Sequence, residues 1–318
     1  MYKSVTRAIN NYVEHNRNDM ENVYMAESDV EVDMGDGVRV NGRIDLVKKL
    51  NSDGKIAIVD FKTANKEVVE SINKEQLKIY AETHFENRKK YFASIISEIE
   101  AGLSLCSEEE ALLMKFFYGT MPLRDAGEYP FETFLGYVRH ALWLRKTIDW
   151  CKKLPEDLFV HDVLYYRINS EDISDCRSFF YEQLKDRIVG LDEYQAAVEI
   201  NYWCVEHATY EMADDRTAGP MTMYRSGKGR CGEESTFTVT ALRSVGLAAR
   251  QVYTPRWAHC DDNHAWVEVW VNGEWHFLGA CEPEEKLDRG WFTGPAGQAL
   301  LIHSRTFGDY AAGKREEV

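Results

Sequence analysis

No stretch of this 318-residue chain is apolar enough to cross a membrane, and no apolar signal segment opens it. Its seven cysteines, irregularly spaced, fit a reducing compartment better than a disulfide framework, so a cytoplasmic protein with no membrane partner is expected. No Cys-x-x-Cys pair occurs. Cys204 and His207 stand three apart, and His259, Cys260, His276 and Cys281 cluster loosely, but none makes the paired spacing of a structural zinc site. Internal repeats, low-complexity tracts and Pro-rich linkers are missing as well. Positive charge is scarce, with 38 Lys+Arg against 53 Asp+Glu. The first 90 residues hold 15 basic against 16 acidic side chains, leaving 23 against 37 for the remainder. A basic stripe for phosphates is therefore missing from the first part, and the acidic remainder argues against free nucleic acid as its partner. All 7 Cys and all 8 Trp follow residue 105, which with the charge asymmetry implies two units of different origin.

In the second part, Cys231 stands in Gly-Arg-Cys-Gly-Glu-Glu-Ser. Gly227 and Gly229 predict a loop before it. Phe237, Val239, Leu242 and Val245 then recur at about helical spacing until Gly246 supplies a stop. A thiol at a helix start feels the positive end of the helix dipole, which is expected to lower its pKa. Residues 248–254 read as a strand. From His264 strict alternation puts His264, Trp266, Glu268 and Trp270 on one face and Ala265, Val267, Val269 and Val271 on the other. Asn272-Gly273 predicts a two-residue hairpin turn, with residues 274–279 returning antiparallel. A Cys opening a helix and a His opening a later strand can meet as nucleophile and base, which suggests acyl chemistry.

The segments Gly-Arg-Cys-Gly-Glu-Glu, residues 242–250, His264 to Val269 and the Trp275 strand follow one another in the order of a known core. Together they resemble the transglutaminase-like superfamily over about residues 91–310. The resemblance implies an α+β fold of papain type, a helix against an antiparallel sheet, with a helical N-terminal extension. It also implies Cys231 as nucleophile and His264 as general base, with no cofactor for this core. The family's usual Asp, a few residues after the strand Trp, falls here on Gly279, which cannot orient an imidazole. If Val271 pairs with Glu274, the ladder brings Cys281 opposite His264 and turns Glu282 to the other face unless a bulge intervenes. Glu282 is the nearest carboxylate and the favoured orienter, with Asp262 and Asn263 as rivals.

The first part reads as helix, three strands, helix. Residues 5–13 are amphipathic; Val30, Val32 and Met34 alternate; residues 38–47 form a second strand; and 55–63 form a third, on which Ile56, Ile58, Asp60 and Lys62 share a face. Asp45 on the neighbouring strand could meet Asp60, giving two carboxylates for a divalent cation beside a Lys. Glu27, Gly42 to Asp45, Ile58 to Thr63 and Gln76 to Tyr80 resemble the PD-(D/E)XK nuclease superfamily over about residues 4–84, in particular the nuclease module of superfamily 1 DNA helicases. The resemblance implies a small α/β restriction-endonuclease-like unit with Asp45 and Asp60 as Mg2+ ligands, Lys62 catalytic, and Gln76 and Tyr80 supporting the DNA site. The family's earlier His-bearing helix, its closing strand and a helicase motor are not evident. A truncated remnant joined to the larger domain, by gene fusion or a joined gene model, is expected.

The expected organisation is a nuclease-like unit over 1–90, a helical region over 91–215 and a transglutaminase-like core over 216–318. The expected function is cysteine-dependent hydrolysis or acyl transfer on a peptide or protein substrate through a Cys231 thioester. The alternatives are a Mg2+-dependent DNA nuclease module, with DNA bound through residues 1–90 only, and a transglutaminase-like binding protein without turnover.

Overall fold

The computed structural model describes residues 23–33, 39–49, 56–59, 66–212, 217–305 and 307–308, with side chains for Lys74 and from Gln76 onward. The chain divides into two compact units, the second starting at Glu70. Among the described residues, no helix is long and apolar enough to cross a membrane.

In the first unit β1 (Val23–Asp33), β2 (Arg39–Lys49) and β3 (Ile56–Val59) form an antiparallel meander in the order β1-β2-β3. Its register pairs Ser28 with Ile44, Val32 with Val40 and Leu46 with Val59. Each strand pairs with its sequence neighbour, as the alternation predicts. Asp60 and Lys62 lie outside the described residues, and so does the side chain of Asp45 on β2.

Most of the helix Lys66–Arg88 belongs to the second unit. It buries Leu77, Ala81 and Phe85, which recur every four residues along one face. They join a core supplied largely by the helices Glu108–Thr120 and Phe131–Thr147. Aromatic rings fill it at edge-on angles, Phe134 lying 4.9 Å and Phe117 5.2 Å from the Tyr166 ring. The helical spacing over 134–150 predicts one long helix, but the chain leaves helical geometry at Ile148 (φ −97°, ψ 124°) and resumes in the short turn Asp149–Lys152. The spacing over 173–188 is realised only as Arg177–Leu184. Just before that span, the buried Glu171 carboxylate accepts the N–H groups of Ile168 and Asn169 and stabilises a loop there.

A second core surrounds the helix Cys231–Ser244, whose residues from Glu233 to Ser244 are all buried. Such a helix must satisfy its polar side chains internally. Ser235 and Ser244 donate to carbonyls one turn back, of Cys231 and Thr240, Thr236 donates to Glu233 O, and Arg243 donates to the carbonyls of Ala249 and Tyr165. Gly246 ends the run at φ 83°, where a Cβ would stand 2.9 Å from Cys151. The helices Arg177–Leu184, Glu193–His207 and Pro220–Ser226 pack around it. A short parallel pair, β4 (Thr209–Tyr210) and β5 (Lys228–Gly229), leads into its first turn.

Against this helix lies a four-stranded antiparallel sheet of β6 (Ala249–Thr254), β7 (His264–Val271), β8 (Glu274–Leu278) and β9 (His303–Ser304), in the order β8-β7-β6-β9. Val267, Val269 and Val271 point into the helix-facing core, and Trp266 joins a small cluster with Val252, Trp257 and Phe292 on the other side. The β7–β8 hairpin pairs Val271 with Glu274, and Asn272 and Gly273 both take positive φ (54° and 91°), as a two-residue turn requires.

Candidate active site

One cavity of about 860 Å³ opens where the first turn of the Cys231 helix meets the start of β7. Its lining includes Cys231, Glu234, Gln251, His264, Glu282 and Trp291. Two elements bring nucleophile and base candidates to the same place. The helix is fixed by its buried packing, and β7 begins with His264 opposite Thr254 on β6. Gln251 ties the helix to β6, the neighbour of β7, donating to Gly232 O and Ser235 Oγ (3.1 and 2.6 Å). Asn169 in turn donates to Gln251, and Arg305 to Asn169.

The Cys231 thiol is half buried, with the backbone N–H groups of Ala265 and Gly232 in hydrogen-bonding reach. Burial pushes its pKa up, the Ala265 N–H pulls it down, and Glu234 pushes it up again; the net shift is upward. This departs from the depressed thiol that a helix start predicts, because loss of water and a nearby carboxyl outweigh the dipole. Glu234, itself buried, is pushed up to about 8 by burial and by the carboxylates of Glu282 and Glu233. Glu233 is engaged elsewhere, accepting from the backbone N–H (2.9 Å) and guanidinium (2.7 Å) of Arg230.

His264 is 7 % exposed, and burial lowers its pKa to about 4 against the opposing charge of Asp262. Its Nε2 is buried with no hydrogen-bond partner. Aromatic rings surround the imidazole. Their centroids lie 4.8 Å (Trp291), 5.1 Å (Phe292), 5.9 Å (Trp257) and 6.0 Å (Trp266) away. Burial thus favours the uncharged thiol and the uncharged imidazole over a stored ion pair.

Glu282 reaches the cavity by a route different from the expected bulge. The β7–β8 ladder stops at Val267–Leu278, and the chain makes a tight turn from Gly279 to Glu282, closed by Glu282 N–H to Gly279 O at 3.2 Å. Cys281 takes a left-handed conformation in it, φ 56°. Asn201, on the helix Glu193–His207, holds the turn by accepting from Cys281 N (3.0 Å) and donating to Gly279 O (2.7 Å). Both oxygens of Glu282 accept the indole N–H of Trp291, at 3.1 and 3.0 Å. The rival Asp262 accepts the N–H of Asn263. Thus Cys231, His264 and Glu282 line one cavity, while the hydrogen-bond partner of the Glu282 carboxylate is Trp291 and not His264. A Cβ placed on Gly279 would stand 2.9 Å from both Cβ and Oε2 of Glu282, so Glu282 fills the space that a side chain at 279 would enter.

Of the residues attributed to a DNA site, Gln76 and Tyr80 lie on the helix Lys66–Arg88, and Tyr80 stacks on His84 at 3.8 Å and packs near Phe116. His276 pairs with Asp288 at 2.6 Å and Cys204 is a buried core thiol, which accounts for two of the dispersed Cys and His residues.

Residues 182–280 match the model of the Transglutaminase-like superfamily, and residues 2–110 match that of the PD-(D/E)XK nuclease superfamily. Along the chain the nuclease match thus precedes the transglutaminase-like one, and neither spans half of the sequence. The transglutaminase-like match contains Cys231, His264 and Gly279; Glu282 lies just beyond it. A solved structure, "a Putative Cysteine Protease from Cytophaga hutchinsonii", is similar at 16% identity and a TM-score of 0.33, over 49% of this chain and 57% of that one. This chain thus spans little more than half the length of that protein. No curated protein matches the sequence.

Proposed function

We propose that this chain is a cysteine hydrolase or acyltransferase that opens a peptide or amide bond through a thioester on Cys231. The observation that carries the reading is the convergence of the Cys231 thiol and the unpartnered His264 Nε2 on one cavity, within the stretch that matches the transglutaminase-like family. Uncharged His264 accepts the thiol proton as the sulfur attacks the substrate carbonyl carbon. The carbon–nitrogen bond then breaks and the amine departs with that proton. Water, giving a proton to His264, attacks the thioester; the carbon–sulfur bond breaks and the thiol is restored. An amine in place of water gives acyl transfer, but hydrolysis is preferred because water is always available.

The test is a scan of peptide and amide substrates by mass spectrometry, with trapping of an acyl adduct. An adduct on Cys231 that is lost in Cys231→Ser supports the reading. A reactive substrate turned over equally by wild type and Cys231→Ser overturns it. The match of residues 2–110 favours a second, separate reading, a Mg2+-dependent DNA nuclease in which Asp45 and Asp60 would hold the ion and Lys62 assist the attacking water. We rank it below the first and expect weak cleavage at most. Robust Mg2+-dependent cleavage of DNA by the full chain, abolished in Lys62→Ala, reverses that ranking.

A further inference from the structure

Resting on the reading of Cys231 and His264 as nucleophile and base, we propose that Trp291, anchored by Glu282, takes over the positioning role of the carboxylate that Gly279 cannot supply. The argument starts from the imidazole. No carboxylate is hydrogen-bonded to it among the described residues, and an unrestrained ring would sample orientations in which neither nitrogen faces the thiol. Four aromatic side chains instead enclose it. Trp257, Trp266 and Phe292 are buried, and packing with Val252 holds those three walls.

The fourth wall differs. Trp291 is 58 % exposed, yet its ring is the nearest of the four to His264. It meets Trp257 and Phe292 edge-on, at 6.2 and 5.8 Å, but with more than half of its surface exposed this packing leaves its orientation to a specific anchor. That anchor is the pair of contacts from Nε1 to the Glu282 carboxylate. Glu282 is held in turn by the Gly279–Glu282 turn and its Asn201 clamp. Gly279 is part of the device, since a side chain there would collide with the Glu282 carboxylate. The residue that removes the usual orienter thus makes room for its replacement.

The arrangement also addresses charge. When His264 takes the thiol proton it becomes an imidazolium, and ring faces attract a cation at these distances. Donation of the indole N–H to a carboxylate leaves the Trp291 ring more electron-rich, which strengthens that attraction. Trp291 and Glu282 are positioning residues: they act on the reaction through His264.

The experiment measures, on the full chain, the rate of iodoacetamide alkylation at Cys231 by peptide mapping between pH 5 and 9. In parallel it measures the titration and tautomer of the His264 ring by NMR. The variants are His264→Ala, Trp291→Phe, Glu282→Gln, Glu282→Ala and the Trp291→Phe/Glu282→Ala pair. Trp291→Phe keeps a ring but loses the donor. It and Glu282→Ala should each slow Cys231 alkylation at pH 7 by about tenfold, with the pair no worse than either alone, as members of one unit behave. Glu282→Gln, which still accepts the indole N–H, should lose less. The His264 ring should titrate higher in the Phe and Ala variants, because hydration regained by the imidazolium outweighs the ring attraction lost. Wild-type rates in Trp291→Phe and Glu282→Ala, with a strong loss in His264→Ala, would overturn the positioning role and leave the enzyme reading intact. Loss in Glu282→Ala but not in Trp291→Phe would show Glu282 acting on His264 directly and also overturn it. Unchanged alkylation in His264→Ala would overturn both.

Discussion

Burial holds the groups at both ends of the cavity towards neutrality, but the neighbours that adjust it differ. At the Cys231 end, burial raises the thiol most, and backbone N–H groups and carboxyls then pull it down and push it up around that shift. At the His264 end, polar groups are scarce, and ring faces exclude water and depress the imidazole to about 4. Beyond the shared burial, carboxyls adjust one end and aromatic packing encloses the other. The difference implies that substitutions near Cys231 act mainly through electrostatics and change with pH, whereas those near His264 act through shape and access.

The largest effect should come from the base itself. His264→Ala is expected to slow Cys231 alkylation at pH 7 by about 100-fold or more, the scale of a lost general base. Exposed Cys260 provides an internal control whose labelling should not change. In the wild type, the His264-dependent component should persist to well below pH 6, with its acid limb near pH 4; an ordinary limb near 6.5 would break the contrast between the two ends.

Next comes the turn. Asn201→Ala removes two hydrogen bonds to buried backbone groups and should lower stability by about 1–3 kcal/mol, read by urea unfolding. It should also slow Cys231 alkylation, because the turn holds Glu282. A smaller effect is expected from Glu234→Gln. Below about pH 8 Glu234 is largely protonated, so the variant should match wild type at pH 6; at pH 9 the charge it removes had been raising the thiol, and alkylation should quicken a few-fold.

The smallest effects concern folding against pH. His264 and His140 both hold folded pKa values near 4, below the ordinary 6.5, so the fold binds fewer protons than the unfolded chain. Their contribution is present above pH 6.5 and is lost as pH falls towards 4. Glu234 runs the other way, from 4.5 up to about 8, so its contribution is present below pH 4.5 and fades as pH rises through 8. Thermal unfolding should therefore weaken at both edges, and Glu234→Gln should relieve only the alkaline one.

Much of this site is legible in the residues. The Cys231 helix follows from apolar spacing and Gly246, and the β7–β8 hairpin from alternation and Asn272-Gly273. Both are local signals, and local signals survive folding. The end of the hairpin is not local. Whether the chain bulges or turns at Gly279 depends on Asn201, 78 residues earlier, and nothing near either residue announces the other. Trp291 carried a faint signal, a Trp-Phe pair in a loop between Gly290 and Gly294, but its meaning appears only once His264 lies beside it. The thiol is a matter of weight. Glu233 and Glu234 stand in plain sight after Cys231, yet only burial decides that they and desolvation outweigh the helix dipole.

The crowding of Gly279 against Glu282 has a consequence for how such a site can change by mutation. An aspartate introduced at 279 would collide with the glutamate, and shortening the glutamate first would release Trp291 before any carboxylate replaced it. Each single step is therefore expected to be worse than either end state, so the two solutions to orienting His264 are separated by a valley that only a paired exchange crosses in one move. Position 279 and position 282 behave as one heritable unit.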